Sequence, residues 1–221
     1  MRALPTTSRR TAVVVALVAT SVVVLLALAV EHAWSPLIRL DAAIEEAVHP
    51  WAVRTPWAVD VSRFLETIGR FRVSFWVATA TVLVLLVLRR WRLALGVALL
   101  AALAPWITDE IKVVVGRARP VWEDPLGFEP TFSYPSGHAT GGLAVYAGCG
   151  IALALVLRDR RWAWAVAIAS TVLGLSIGVS RVVLGLHWPS DVVGGWCVAI
   201  AVAAVLVALL LPSRSAPDPE P

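Results

Sequence analysis

Long apolar stretches recur along the chain, separated by short polar segments rich in arginine and proline. A transmembrane helix needs about 20 consecutive apolar residues. Six stretches approach that length: Thr11 to Val30, Val73 to Leu88, Leu93 to Val115, Ala139 to Leu157, Trp162 to Val179 and Val192 to Leu211. They predict an all-α, integral membrane bundle of six transmembrane helices. The second run is short and the third contains Pro105, so the ends of these two are the least sharply marked. Between the first two runs, "SPLIRLDAAIEEAVHPWAVRTPWAVDVSRFLETIG" mixes acids with Leu, Ile, Val and Trp at helical spacing. That segment predicts short interfacial helices, with Trp34, Trp51 and Trp57 at headgroup depth. The first run, preceded by Arg9-Arg10 and ending near Ala27-Leu28-Ala29, imitates a signal peptide. It exceeds the usual h-region of about 7 to 15 residues, so it predicts a retained span. Residues 1–211 then form a single six-span domain, and the Pro/Ser/Asp-rich stretch 212–221 is expected to be a disordered cytoplasmic tail.

Composition sharpens this picture. The chain is 59% hydrophobic and 15% charged, with a mean hydropathy of +0.80. Ordinary soluble domains carry about 25% charged residues, which excludes that class. Cys149 and Cys197 lie inside apolar runs, where a small packing residue is the better reading than a disulfide. The isoelectric point near 9.8 would suggest nucleic acid in a soluble protein. Here the arginines flank apolar runs and report topology instead. Arg2, Arg9 and Arg10 precede the first run, and Arg89, Arg90 and Arg92 join the second and third. Arg158, Arg160 and Arg161 join the fourth and fifth, and Arg214 follows the sixth. This alternation puts both termini in the cytoplasm of a cell-membrane protein. The segment from Glu31 to Arg72 and the loops from Gly116 to His138 and from Ser180 to Asp191 then face outward. His32 and His49, within the first of these, read as structural.

Three pieces on that outer side carry candidate chemistry: "KVVVGRARP" from Lys112 to Pro120, "PSGH" from Pro135 to His138, and "SRVVLGLHWPSD" from Ser180 to Asp191. A helix N-terminus offers free N–H groups and the positive end of a dipole, which favour an anion. Ser136 supplies a capping hydroxyl and Gly137 lets an anion approach the backbone closely. Lys112, Arg119 and Arg181 add cations, and arginine matches phosphate oxygens in a planar fork. The local design is a phosphate cradle. If Pro189 opens the sixth helix, Asp191 can reach His187 four residues away and fix its tautomer. Such a histidine is a nucleophile or a base. His138, one position past the anion site, is placed to donate a proton to a leaving oxygen. Arg117 fits the same loop in a supporting role, and Asp109 and Glu110 either pair with Lys112 or mark the wet end of the third run. A metal site built from His138, His187 and Asp191 is the rival, but the surrounding cations would repel a dication.

Together the pieces resemble the signature of the type 2 phosphatidic acid phosphatase family. Lys112 is followed after six residues by Arg119-Pro120, then comes Pro135-Ser136-Gly137-His138, then Ser180-Arg181, five residues, His187, three residues and Asp191. The resemblance implies a metal-independent membrane phosphatase without a cofactor. In that reading His187 attacks phosphorus to form a phosphohistidine, Asp191 orients it and His138 protonates the leaving group. Lys112, Arg119, Ser136, Gly137 and Arg181 bind phosphate. The implied substrate is a membrane lipid phosphate, with undecaprenyl diphosphate favoured. Phosphatidate or phosphatidylglycerol phosphate hydrolysis, phosphoryl transfer to another alcohol, and a non-enzymatic role as an anionic-lipid transporter or scaffold are the alternatives. A scaffold would need only the cations, not the two histidines and the aspartate.

Overall fold

A computed structural model describes residues 7–210, and every regular element among them is helical. In chain order these are α1 (Thr7–Glu31), α2 (Ser35–Val53), α3 (Pro56–Gly69), α4 (Phe71–Val87) and α5 (Trp91–Val115). Then follow α6 (Gly137–Gly142), a π-helical turn (Leu143–Ala147), α7 (Gly148–Ala154), α8 (Arg160–Val183) and α9 (Pro189–Leu210). Leu211, the expected tail at 212–221, Arg2 and Arg214 lie outside the described residues.

Four helices are each long and apolar enough to cross a membrane: Arg9–Glu31, Trp91–Val115, Arg160–Val183 and Pro189–Leu210. Pro56–Gly69 and Phe71–Val87, bent by 56° at their junction, reach the same criterion as a pair. The chain is therefore a multi-pass membrane protein. The fourth predicted run coincides with the α6, π-turn and α7 segment, in which no single helix exceeds seven residues. Apolarity along a run is thus legible from sequence, but a π turn that divides it is not.

Local chemistry explains where the long helices begin and end. α5 stops where Gly116 adopts φ +60°, its N–H donating to the Lys112 carbonyl in a left-handed cap. Pro105 sits inside α5 without ending it. Tightly packed neighbouring helices make such a proline tolerable in a membrane helix. Pro189 opens α9 at its first position, as expected. Asp159 caps α8 by accepting from the Arg161 N–H at 2.8 Å.

The core lies between α1, α5, α9 and the α6 to α7 segment, where Val23, Leu100, Ala104, Leu143, Val198 and Val202 pack together. Small residues let helix backbones approach closely, the usual route to tight packing in lipid. A Cβ on Gly174 of α8 would lie 2.8 Å from the Gly142 carbonyl oxygen. A Cβ on Gly195 of α9 would lie 2.5 Å from the Ser136 carbonyl oxygen. The start of α9 therefore rests directly against the start of α6.

α2 turns its polar side inward. Asp41, Glu45 and His49, spaced four apart on one face, are all buried, while Trp34, Trp51 and Trp57 are exposed. Amphipathic helices were expected here, but an acidic face reads from sequence as solvated, and only packing reveals that these acids are enclosed.

Candidate active site

The three sequence pieces meet at one end of the bundle, at the C-termini of α5 and α8 and the N-termini of α6 and α9. Ser136 is the N-cap of α6, its hydroxyl accepting from the Ala139 N–H at 3.4 Å. Its own N–H donates to the Asp191 carbonyl at 2.9 Å, which joins the second piece to the third. Gly137 faces the Lys112 side chain, from which a Cβ would stand 3.9 Å. Lys112 Nζ donates to the Phe132 carbonyl at 2.7 Å, folding the loop of residues 116–136 back over the cradle. Asp109 lines a neighbouring cleft.

His187 lies in the turn between α8 and α9 and is 1% exposed. Its two ring nitrogens face different surroundings. Nδ1 stands 3.4 Å from both Asp191 Oδ2 and Ser133 Oγ. Nε2 points into the cradle, 2.9 Å from Arg119 Nη1. With the proton on Nδ1 toward Asp191, Nε2 keeps its lone pair on the cradle side. Burial, then Arg119, Lys112 and Arg181, hold the imidazole well below its ordinary pKa of 6.5, so it is neutral and carries that lone pair at physiological pH.

Glu129, in the loop of residues 116–136, was not singled out in the sequence, yet its carboxylate sits at the centre of the cradle. It pairs with the fully buried Arg181 and, at 2.8 Å, with Arg119. One oxygen is 3.6 Å from His138 Nδ1 and the other 3.9 Å from His187 Nε2. Burial alone would raise its pKa, but the guanidiniums of Arg181 and Arg119 outweigh burial and hold it below its ordinary 4.5. Arg119, Arg181 and both histidines therefore converge on one anion, supplied by the chain itself. Glu66 of α3 approaches Arg181 from behind at 3.5 Å. His138 Nε2 is buried without a hydrogen-bond partner.

Asp191 is fully buried and densely held. Its Oδ2 accepts from Ser133 Oγ at 2.5 Å and from the Trp188 N–H at 2.9 Å, and its Oδ1 pairs with Arg117 Nη1 at 2.6 Å. Arg117, read from sequence as supporting, is central to this second layer. Its other terminal nitrogen pairs with Asp41 of α2 at 2.7 Å, and Nη1 also donates to Ser190 Oγ at 2.7 Å. Asp191 and Glu129 thus flank opposite ring nitrogens of His187, and the metal-ligand set of His138, His187 and Asp191 does not converge on one point. Among the described residues no group of three His, Cys, Asp or Glu side chains is spaced to hold a metal. His32 is exposed and bonded to the Leu28 carbonyl, while His49 stacks on Trp122 at 4.0 Å.

A cavity of about 640 Å³ leads away from the cradle. Gly137 and His138 line it at one end, and Phe75, Ala78, Leu83 and Pro105 line it further along α4 and α5. From Phe71 to Leu83 the groove follows α4 for about 18 Å at the helical rise. Its walls are overwhelmingly apolar, and Phe75 and Leu83 also reach the outer surface of the bundle.

The PAP2 superfamily matches residues 91–214, a stretch that contains all three pieces. The undecaprenyl-diphosphatase of Sulfolobus acidocaldarius is 33% identical over 138 residues, covering 60% of this chain and 61% of that protein. Phosphatidylglycerophosphatase B of Bacillus subtilis is 34% identical over 92 residues, covering 41% of this chain and 44% of that protein. The chain thus matches less than two thirds of either relative's length. The crystal structure of a transmembrane PAP2-type phosphatidylglycerolphosphate phosphatase from Bacillus subtilis superimposes with a TM-score of 0.69 at 24% identity. That superposition covers 83% of this chain and 92% of the other, and shows the fold to be shared.

Proposed function

The chain belongs to the PAP2 superfamily, and from that premise we propose that it is a metal-independent phosphatase of membrane lipid phosphates, working through a phosphohistidine at His187. One observation carries the reading: a carboxylate of the chain already occupies a half-buried pocket in which Arg119, Arg181, His138 and His187 face a single anion. A phosphate entering there displaces Glu129 and takes over its guanidinium contacts, with Lys112 and the α6 N-terminus at its edge. Nε2 of His187 attacks phosphorus, the bond from phosphorus to the leaving oxygen breaks, and His138 gives that oxygen a proton. The dianion entering beside His138 favours the protonated imidazole that this step needs. Water then attacks phosphorus and gives a proton to His138 as the bond from phosphorus to His187 Nε2 breaks, which releases phosphate and restores both histidines. The long apolar cleft ending at His138 supports a lipid as the leaving group, and a polyprenyl or acyl chain suits its walls. Undecaprenyl diphosphate is the favoured substrate, with phosphatidylglycerol phosphate and phosphatidate next.

The test is inorganic phosphate release by purified protein from a panel of lipid mono- and diphosphates, with and without EDTA. Release should persist in EDTA and be blocked by vanadate. Loss in EDTA that zinc or manganese restores would revive a metal site.

Displacement of Glu129 makes its own prediction. Glu129→Gln removes the competing charge and should tighten vanadate inhibition roughly tenfold, the scale of one charge-assisted contact. Weaker inhibition would mean that Glu129 holds Arg119 and Arg181 in place for substrate instead of yielding to it.

We further propose six spans with both termini in the cytoplasm and the site facing outward, on the strength of the arginine pattern. A cysteine at Gly127 should react with an impermeant thiol reagent on intact cells, and one at Arg90 should not. Labelling at Arg90 alone would reverse the orientation.

A further inference from the structure

Asp191 faces a difficulty if it serves His187. When Nε2 attacks phosphorus, the ring becomes cationic, and a carboxylate at Nδ1 helps only while it retains its negative charge. Asp191 is fully buried, yet Arg117 holds its Oδ1 at 2.6 Å. A buried guanidinium paired with it alone would cancel most of the field that Asp191 offers the imidazole.

Arg117 is not paired with it alone. Asp41, 2% exposed on α2, takes the other terminal nitrogen at 2.7 Å. Asp41 also accepts from the Ser190 N–H at 2.9 Å and the Ser190 hydroxyl at 2.5 Å, tying α2 to the first turn of α9. Behind His187 two carboxylates thus share one guanidinium, and the group as a whole stays negative. Glu45, one turn along α2 and fully buried, has no hydrogen-bond partner for either carboxylate oxygen. Burial, Asp191 and Asp41 push its pKa to about 8, so near neutral pH it is mostly protonated and leaves the balance to the other three. On the far side of the ring, the charges facing His187 are Arg119, Lys112, Arg181 and Glu129.

We propose that Asp41 is a positioning residue for the reaction: by sharing Arg117 it lets that arginine anchor Asp191 without neutralising it, so that Asp191 can stabilise a cationic His187. This gives α2 a part in catalysis, although Asp41 touches no reacting atom. The inference rests on His187 being the nucleophile. Atoms and charge balance as in the proposed reaction, with the Nδ1 proton staying on the ring, bonded to Asp191, while Nε2 gains phosphorus.

Asp41→Asn tests it: asparagine removes the charge and keeps one of the two acceptor oxygens, enough to hold the Ser190 N–H while the bond to Arg117 Nη2 is given up. The readout is the single-turnover rate of phosphoenzyme formation in full-length protein, beside inorganic phosphate affinity and thermal stability. The rate in Asp41→Asn should fall on the order of 10- to 100-fold, the scale known for outer partners of metal-bound histidines, with inorganic phosphate affinity unchanged. Arg117→Gln added to Asp41→Asn restores the original charge balance and should recover most of the loss. A role in holding the fold predicts the reverse, a double variant no faster than Asp41→Asn. Wild-type rate in Asp41→Asn, or a parallel loss of inorganic phosphate affinity, overturns the proposal. Should Asp41→Asn not fold, the double variant decides alone: a rate near wild type supports charge sharing, and a rate below about a hundredth of it refutes charge sharing. If the wild type forms no phosphohistidine, the nucleophile reading fails and this inference falls with it. If the wild type does form one, a failed variant series counts against Asp41 only.

Discussion

His187→Ala should abolish turnover of every phosphate ester, a loss on the order of 10⁵- to 10⁶-fold, the scale seen when a nucleophile is removed from a preorganised site. Nε2 of His187 faces the pocket in which Glu129 is held, on a ring that Asp191 approaches from the Nδ1 side. The neighbouring hydroxyls are engaged elsewhere: Ser133 Oγ is committed to Asp191 at 2.5 Å, and Ser136 Oγ caps α6. Because the side chain is fully enclosed, its removal leaves a cavity, so folding is checked by thermal unfolding alongside the rate. Vanadate binding should weaken but persist, since the arginines remain. Retained hydrolysis in a folded His187→Ala protein would sink the mechanism.

The second large effect separates the two histidines by leaving group. If His138 donates the proton, His138→Ala should slow attack on a lipid monophosphate on the order of 10²- to 10⁴-fold, because an alkoxide leaves poorly unprotonated. An aryl phosphate with an acidic phenol needs that proton far less and should lose far less. A lipid diphosphate, whose departing group is a phosphate, should fall between them. The comparison requires single-turnover phosphorylation rates, since hydrolysis of the intermediate could limit steady-state turnover for all three. Equal losses across the series would mean that His138 only binds the anion. Its place beside both Glu129 and the apolar cleft favours the graded outcome, because a leaving group lying in that cleft passes His138.

The parts of this site that were legible in the sequence are those whose chemistry is local. Ser136 ahead of Gly137-His138 reads as a cap, Pro189 reads as a helix start, and Asp191 four residues beyond His187 reads as its partner. Each relation spans at most four residues, and each is found at the expected place. Glu129 and Asp41 were illegible for the opposite reason. Glu129 belongs to a loop with two other acids, Glu123 and Asp124, and no periodicity marks which of them turns inward. Its role depends on Arg181, 52 residues away, and on the path that Lys112 imposes through the Phe132 carbonyl. Asp41 meets Ser190 across 149 residues, on a segment that reads as an interfacial helix. The one available signal was the repetition of Asp41, Glu45 and His49 at helical spacing on a single face, which marks a polar stripe but not the direction in which it points.

In the fold, the long helices were legible because apolarity over a whole span is a strong signal. The bend of 56° between α3 and α4 and the π turn after Gly142 were not. Both arise from how helices pack: Gly69 sits against Ile177, and Gly142 against Gly174 and Ile177. Contacts between distant glycines leave no pattern along either segment.

The central claim, a covalent bond between His187 Nε2 and phosphorus, is open to one direct measurement. Wild-type protein in lipid vesicles is mixed with a lipid phosphate carrying a radioactive phosphoryl group, quenched in alkali within a single turnover, digested, and mapped by mass spectrometry. The account predicts label on the peptide containing His187, stable to alkali and lost in acid as a phosphoramidate is, and absent from His187→Ala. Turnover with no label at any quench time, or label on Ser136, His138 or any residue other than His187, would contradict it.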